Sequence, residues 1–377
     1  MKARIRVIQG CCIISLGITA SLQAEDASID KLLSKLPPPE KIIEPSARKA
    51  LERRDPAFND SLARQIDIAV RTGKLQQAFS LSHKLTEQYP RSAGAQCVRG
   101  ALAYDLRQYG EASTAFRTAV NIDSKYAFAY FGLAAVEATQ GQYAAAIPHL
   151  QQVLKLQPNA AAAYYVLSDC AFHLGHKEES AAYARKGTAL APSDADMWLE
   201  LARAEKSLGH TDATLNAIAK AAQVSPNSGM MLAVLGFSYI NLNRIPQAIP
   251  PLKRAAQLLP HNYLVQSQLG YCLLTVGQTD AAIGYLRTGA SLNPIYGPVW
   301  EHLGVAFQKR GRNRDAVDAL EKATRLMPTS RYAWKHLAEA YQATGRRADA
   351  QRAAGHAQQL GGAMANASRK EGVISLR

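Results

Sequence analysis

Cysteine is scarce in this chain, five among 377 residues, too few for a disulfide framework of this size. Aromatic residues reach only 7%. No apolar run attains the roughly 20 residues of a membrane span without polar interruptions, which excludes a polytopic membrane protein. Glycine and proline, at 25 and 17, are too few for a collagen-like or proline-rich chain. Acid is the minority charge: 30 Asp and Glu stand against 44 Lys and Arg, a net of +14. The phosphate loop, the dinucleotide glycine fingerprint, the nucleophile elbow and His-Glu-x-x-His are all missing. What is present is a 47% apolar, alanine-rich composition, which fits a folded, mildly basic globular chain and excludes a disordered one.

The first 24 residues read as a secretory signal peptide. Lys2, Arg4 and Arg6 precede any acid, Cys11 to Ala20 form a short apolar core, and Ala24 stands before Glu25 and Asp26. The apolar core is too short to span comfortably, which favours cleavage over a retained anchor. Cys11 lies before that core rather than after it, which argues against lipidation there. The core itself argues against a mitochondrial presequence. Cleavage would remove three positive charges and two cysteines, leaving +11 and Cys97, Cys170 and Cys272. Their wide spacing suits small core residues better than metal ligands.

A fixed period organises the remainder. Prolines stand at 90, 158, 192, 226, 260, 294 and 328, in steps of 34 with one of 68, and Ser124 fills the gap. Glycines repeat at 73, 141, 175, 209, 277, 311 and 345, with Arg107 and Asn243 in the two vacant places. Between each glycine and the next proline lie helix-forming residues with apolar positions three and four apart. Glycine caps a first helix in the left-handed conformation, a role in which asparagine is next best. Proline ends a second helix because it lacks the N–H. Each unit is thus a helical hairpin that buries its apolar face only by stacking on neighbours.

The residues at fixed places within the period resemble those of the tetratricopeptide repeat family. The unit at 297–330 carries Trp300, Leu303, Gly304, Phe307, Ala316, Leu320, Ala323 and Pro328. The unit at 229–262 carries Leu235, Gly236, Tyr239, Ala248, Leu252, Ala255 and Pro260, and that at 127–160 carries Tyr130, Leu133, Ala134, Tyr143, Ala146 and Pro158. Further units begin at 59, 93, 161, 195, 263 and 331, nine in register. Departures include Ser180 and Thr214 for one alanine and Ile66 at the small position of the first hairpin, where it threatens close packing. The resemblance implies an all-α fold, a right-handed superhelical solenoid of about nine helical hairpins over residues 59–362. Residues 25–58, with Pro37, Pro38 and Pro39, read as an N-terminal linker, and 363–377 as a frayed C-terminal tail. The polar second helix of the last unit, from Arg347 to Gln359, is expected to close the stack.

The family resemblance also places the candidate site. First helices of such repeats line a concave groove with their second, fifth, ninth and twelfth residues. Those places hold Tyr104, Phe128, Phe131, Tyr165 and Phe172, then Phe237, Tyr271 and Tyr332, while the fifth unit presents Asp196, Arg203 and Lys206. Two readings stand: a surface for a protein or extended peptide, or packing between adjacent first helices. Trp300 is expected in the core. The carboxylate clamp of cytosolic co-chaperones in this family is absent, since matching places hold Tyr165 with Asp169, or Lys335 with Glu339. Residues 297–377 carry 14 basic and 7 acidic residues. Lys309, Arg310, Arg312 and Arg314 gather at one turn, either as a solvated face or as a patch for an acidic envelope partner. His173, His176, Glu178 and Glu179 straddle a turn and read as solvated polar residues rather than a metal site. The chain is expected to be exported, periplasmic or secreted, with no catalytic residues, cofactor, nucleic-acid partner or membrane span after cleavage. A protein-binding scaffold in the cell envelope is the first functional expectation. An accessory subunit that positions a separate enzyme of wall polysaccharide is the second.

Overall fold

The computed structural model describes Asp55, Ala57 and residues 60–374, with 362–374 described as helical backbone only. The signal segment 1–24 and most of the linker 25–58 lie outside the described residues. Among the described residues there are eighteen α-helices and no strand, an all-α tetratricopeptide-like array of consecutive hairpins. They fall into two compact units that meet in sequence at Ser225 and Pro226.

The first unit contains five hairpins: α1 (Ser61–Arg71) with α2 (Leu75–Gln88), α3 (Ala93–Asp105) with α4 (Tyr109–Ile122), α5 (Ala127–Thr139) with α6 (Tyr143–Leu156), α7 (Ala161–His173) with α8 (Lys177–Leu190), and α9 (Ala195–Ser207) with α10 (Thr211–Val224). The second contains four: α11 (Gly229–Asn241) with α12 (Ile245–Leu258), α13 (Tyr263–Thr275) with α14 (Thr279–Leu292), α15 (Gly297–Lys309) with α16 (Asn313–Leu326), and α17 (Arg331–Ala343) with α18 (Arg347–Ile374). The last helix runs to Ile374, so most of the stretch expected as a frayed tail is helical backbone.

Local chemistry sets the ends of these helices. The turn inside every hairpin holds one residue at positive φ, the seven periodic glycines together with Arg107 at 61° and Asn243 at 55°. In the α15–α16 turn the Gly311 N–H donates to the Gln308 carbonyl at 2.9 Å, and the Arg312 N–H reaches back to Phe307 at 2.9 Å. Six of the nine first helices carry a side-chain N-cap, from Asp60, Ser92, Asp194, Ser228, Asn262 and Ser330, each satisfying amides that would otherwise lack a partner. Proline is not confined to the joints: α12 contains Pro250 and Pro251 in its interior. Each interior proline costs about 3 kcal/mol, so burial of Ile245, Ala248, Leu252 and Ala255 must hold that helix together.

Packing inside a hairpin follows one exchange of volume. The eighth residue of the unit is small and the twenty-fourth is large, and the two meet. A Cβ built on Gly100 would lie 2.8 Å from Phe116, and one on Gly236, Gly270 or Gly304 would lie 2.3–2.6 Å from Leu252, Leu286 or Leu320. The first hairpin inverts the exchange. Ile66 is buried at the eighth place and Ser82, fully buried, occupies the twenty-fourth. The bulk of Ile66 is therefore accommodated by its small counterpart.

Joints between hairpins carry a second repeated device. The indole N–H groups of Trp198, Trp300 and Trp334 each donate at 2.8 Å to the carbonyl of the proline six residues earlier, Pro192, Pro294 and Pro328. The Gln266 amide does the same to Pro260 at 3.2 Å. Trp300 is thus half-buried rather than a core residue, with the Lys322 ammonium 4.2 Å above its ring.

Candidate functional site

The first unit brings the expected groove residues onto α3, α5, α7 and α9, but in two different environments. Phe131 and Tyr165, expected on a ligand surface, are each only 3% exposed and belong to the hydrophobic core between hairpins. Their place in the unit is the same, and in both hairpins the neighbouring first helix covers it. Of the two readings, these two rings follow packing between hairpins rather than an open ligand surface. Tyr104, Phe128 and Phe172 are half-buried. The Tyr104 hydroxyl lies 2.7 Å from Thr139 Oγ1, and Phe128 sits edge-on to Phe116 with ring centroids 6.2 Å apart.

Around Phe172 the groove face turns from apolar to ionic. Arg203 from α9 lays its guanidinium 4.1 Å from the Phe172 ring centroid. Its Nη2 lies 2.8 Å from Asp169 Oδ1 and 2.6 Å from Glu200 Oε1. Glu200 Oε1 also accepts from Ser168 Oγ at 2.6 Å, and Ser168 and Ser180 lie 3.1 Å apart. Glu200 is fully buried and Arg203 is 3% exposed. Burial pushes the Glu200 carboxyl up from its usual value, against the pull of Arg203. Burial pulls Arg203 down, but Glu200 and Asp169 together hold its pKa above the usual value. Glu200 Oε2 and Arg203 Nε are buried without a hydrogen-bond partner, and such atoms cost free energy until something satisfies them.

His173 joins the edge of this cluster. Its ring stacks on Tyr143 at 4.4 Å, and its Nε2 lies 3.5 Å from Asp169. His176 instead pairs with Glu179 at 3.9 Å. The three described cysteines are buried free thiols, and burial pushes Cys170 and Cys272 up to about 12, which suits packing rather than nucleophilic chemistry.

The second unit holds the other expected residues. Phe237 and Tyr271 are half-buried against its core, and Tyr271 lies 4.9 Å from the ring of His302. Tyr332 is 70% exposed. At the basic turn, Arg310 pairs with Asp280, Arg312 pairs with Asp315 at 2.6 Å and lies over the Phe307 ring, and Lys309 Nζ is 3.4 Å from the Leu274 carbonyl. Arg314 is exposed and has no carboxylate partner among the described residues. Much of this patch is therefore answered within its own unit.

The sequence alone drew no attention to Ser168 and Glu200, and placed Asp169 only where the absent carboxylate clamp would be. A signal existed: serine replaces the usual glycine or alanine at the eighth place, and Glu200 and Arg203, three apart, interrupt an otherwise apolar helix face.

A family model described as tetratricopeptide repeat matches residues 97–148 and 131–195. Among solved structures, the C-terminal part of a TPR repeat-containing protein from Cytophaga hutchinsonii is similar at 14% identity and a TM-score of 0.51. That likeness covers 64% of this chain and 98% of the other, and it is one of fold. A MamA protein aligns at 23% identity and a TM-score of 0.42, over 46% of this chain and 94% of its own. The APC/C hetero-tetramer Cut9–Hcn1 aligns at 16% identity and 0.39, over 76% and 56%. Among curated proteins no relative matches the chain.

Proposed function

We propose that this chain, a tetratricopeptide repeat protein, is a scaffold of the cell envelope that holds a protein or extended peptide against the first-helix face of its first unit. Repeats of this family indicate protein interaction, on a fold that is typically non-catalytic. The observation that carries the choice of face is the pair of half-buried rings on first helices of the first unit, Tyr104 and Phe172, the latter backed by the Arg203 guanidinium at 4.1 Å. A peptide crossing this strip would pack against the half-buried rings of Phe172 and Tyr104, while the buried ions beneath hold the Phe172 ring in place. Buried aromatic and arginine anchors commonly carry about 2 kcal/mol or more at an interface.

Support for export is the order of Lys2, Arg4, Arg6, the Cys11–Ala20 apolar core and Ala24. No helix among the described residues is long and apolar enough to cross a membrane. Intact mass of the protein from the native envelope tests export, with Glu25 the expected new terminus. Recovery of the full chain in the cytosol overturns it. The binding face is tested by crosslinked pull-down with wild type and a Tyr104→Ala, Phe172→Ala double variant. The variant should lose at least tenfold in capture while its helical content stays unchanged. Capture at full strength overturns the face. The second reading, recruitment of a wall-polysaccharide enzyme through the Lys309–Arg314 turn, gains no support from Arg310 and Arg312, which are already paired.

A further inference from the structure

The last hairpin departs from the volume exchange that closes most of the others. Its eighth place is Ala338 and its twenty-fourth is Ala354, where the three preceding hairpins pair glycine with a fully buried leucine. Between α17 and α18 lies a cleft of about 860 Å³. Its floor is made by Ala338, Ala350, Ala354 and Ala357. Along α17 it extends from Arg331 to Gln342, and along α18 from Arg347 to Gln358. That is about 16 Å on each side at 1.5 Å per residue, the length of a three-turn helix.

The rim is basic. Arg331 and Arg347 are exposed and have no carboxylate partner among the described residues. Glu339, the acid lining the cleft, is shared between Lys335 at 3.9 Å and His336 at 3.1 Å. The fourth hairpin shows how such an opening closes. There too the eighth and twenty-fourth residues are small, Ser168 and Ala184, and Glu200 of the following first helix reaches back to Ser168. No hairpin follows α18 among the described residues.

We infer that the α17–α18 cleft is a docking site for an acidic amphipathic α-helix of another protein, lying where a following first helix would pack. A leucine-type side chain of that helix occupies the space that Ala354 leaves, and its flanking carboxylates meet Arg331, Lys335 and Arg347. A floor of alanines on two packed helices leaves a groove into which the side-chain ridges of a third helix fit. The basic rim selects acid and rejects base.

The test uses the full chain and a labelled synthetic helix of about 14 residues with a leucine stripe flanked by glutamates, read by fluorescence anisotropy. The same peptide with lysine for every glutamate, and a scrambled peptide, are run beside it. Wild type should bind the acidic helix, and added salt should weaken binding. Ala354→Leu, which restores the residue found opposite Ala134 as Leu150, should weaken it at least tenfold while the fold is kept. Arg331→Glu with Arg347→Glu should do the same through charge and gain affinity for the lysine peptide. Absence of binding by wild type overturns the inference, as does equal binding by both variants or equal affinity for the lysine peptide. Sedimentation of the free chain as a dimer that Ala354→Leu dissociates would assign the cleft to a second copy instead, and overturn the choice of occupant.

Discussion

The fourth hairpin, α7–α8, and the last, α17–α18, share a pair of small residues where most others carry one small and one large. In the fourth, the space beside Ser168 is reached by Glu200 of the next helix, at the cost of burying a carboxylate that then requires Arg203, which Asp169 shares. In the last, nothing among the described residues follows, and the space remains a cleft over alanine. One local change of volume thus has two outcomes, and the neighbour decides between them. Where a neighbour exists, the gap becomes an ionic cluster in a hydrophobic setting. Where none does, it becomes a surface.

The comparison breaks most visibly at Arg203. Arg203→Ala would leave Glu200 and Asp169 buried and uncompensated, and should cost about 3–5 kcal/mol in denaturant unfolding monitored by circular dichroism. Replacing the whole set by apolar residues, Asp169→Leu and Glu200→Leu with Arg203→Met and Ser168→Ala, should come close to wild type in the same measurement. If the single and the combined variants unfold alike, the cluster is not a compensated charge set. Next in size, Leu320→Ala would recreate in the eighth hairpin the small pair of the ninth. It should cost about 2–5 kcal/mol, since Leu320 is fully buried against Gly304. A cost well under 1 kcal/mol would show that the exchange of volume does not hold the hairpin.

The second unit carries a pH dependence of its own. Burial lowers the His302 pKa to about 4, helped by His336, from an ordinary 6.5. The unfolded chain therefore binds a proton at a pH where the native site does not. Stability is full above pH 6.5, falls as pH drops from 6.5 toward 4, and levels off below. Thermal melts across that window should show the loss in wild type, and a smaller loss in His302→Gln. A smaller effect is expected at Arg107, whose φ of 61° suits glycine. Arg107→Gly should stabilise by about 0.5–1 kcal/mol, and a lower melting temperature would contradict that.

Much of the fold is legible in the sequence because its determinants are local. A glycine every 34 residues sets the turn, and Asn243 and Arg107 take the same backbone conformation where glycine is missing. Alanine and leucine at fixed places set the hairpin. The candidate site is less legible because it depends on which neighbour covers a side chain. Phe131 and Tyr165 occupy groove places, yet the adjacent first helix buries them. Glu200 lies at a place with no groove assignment, yet it fills a space left by a residue 32 positions earlier. Trp300 marks its unit correctly, but its indole N–H is needed at the Pro294 carbonyl, which holds the ring near the surface.

That indole bond has a mechanical consequence. It spans the bend between one hairpin and the next, so the joints at Pro192, Pro294 and Pro328 each carry a rigid bicyclic strut across the corner, and that at Pro260 a softer amide one. Bending such a joint must first break a 2.8 Å bond to a carbonyl that no backbone donor serves. Stiffness therefore differs from joint to joint within each unit, and the fourth residue of the repeat sets it. Under tension, joints with tryptophan should yield after those without it.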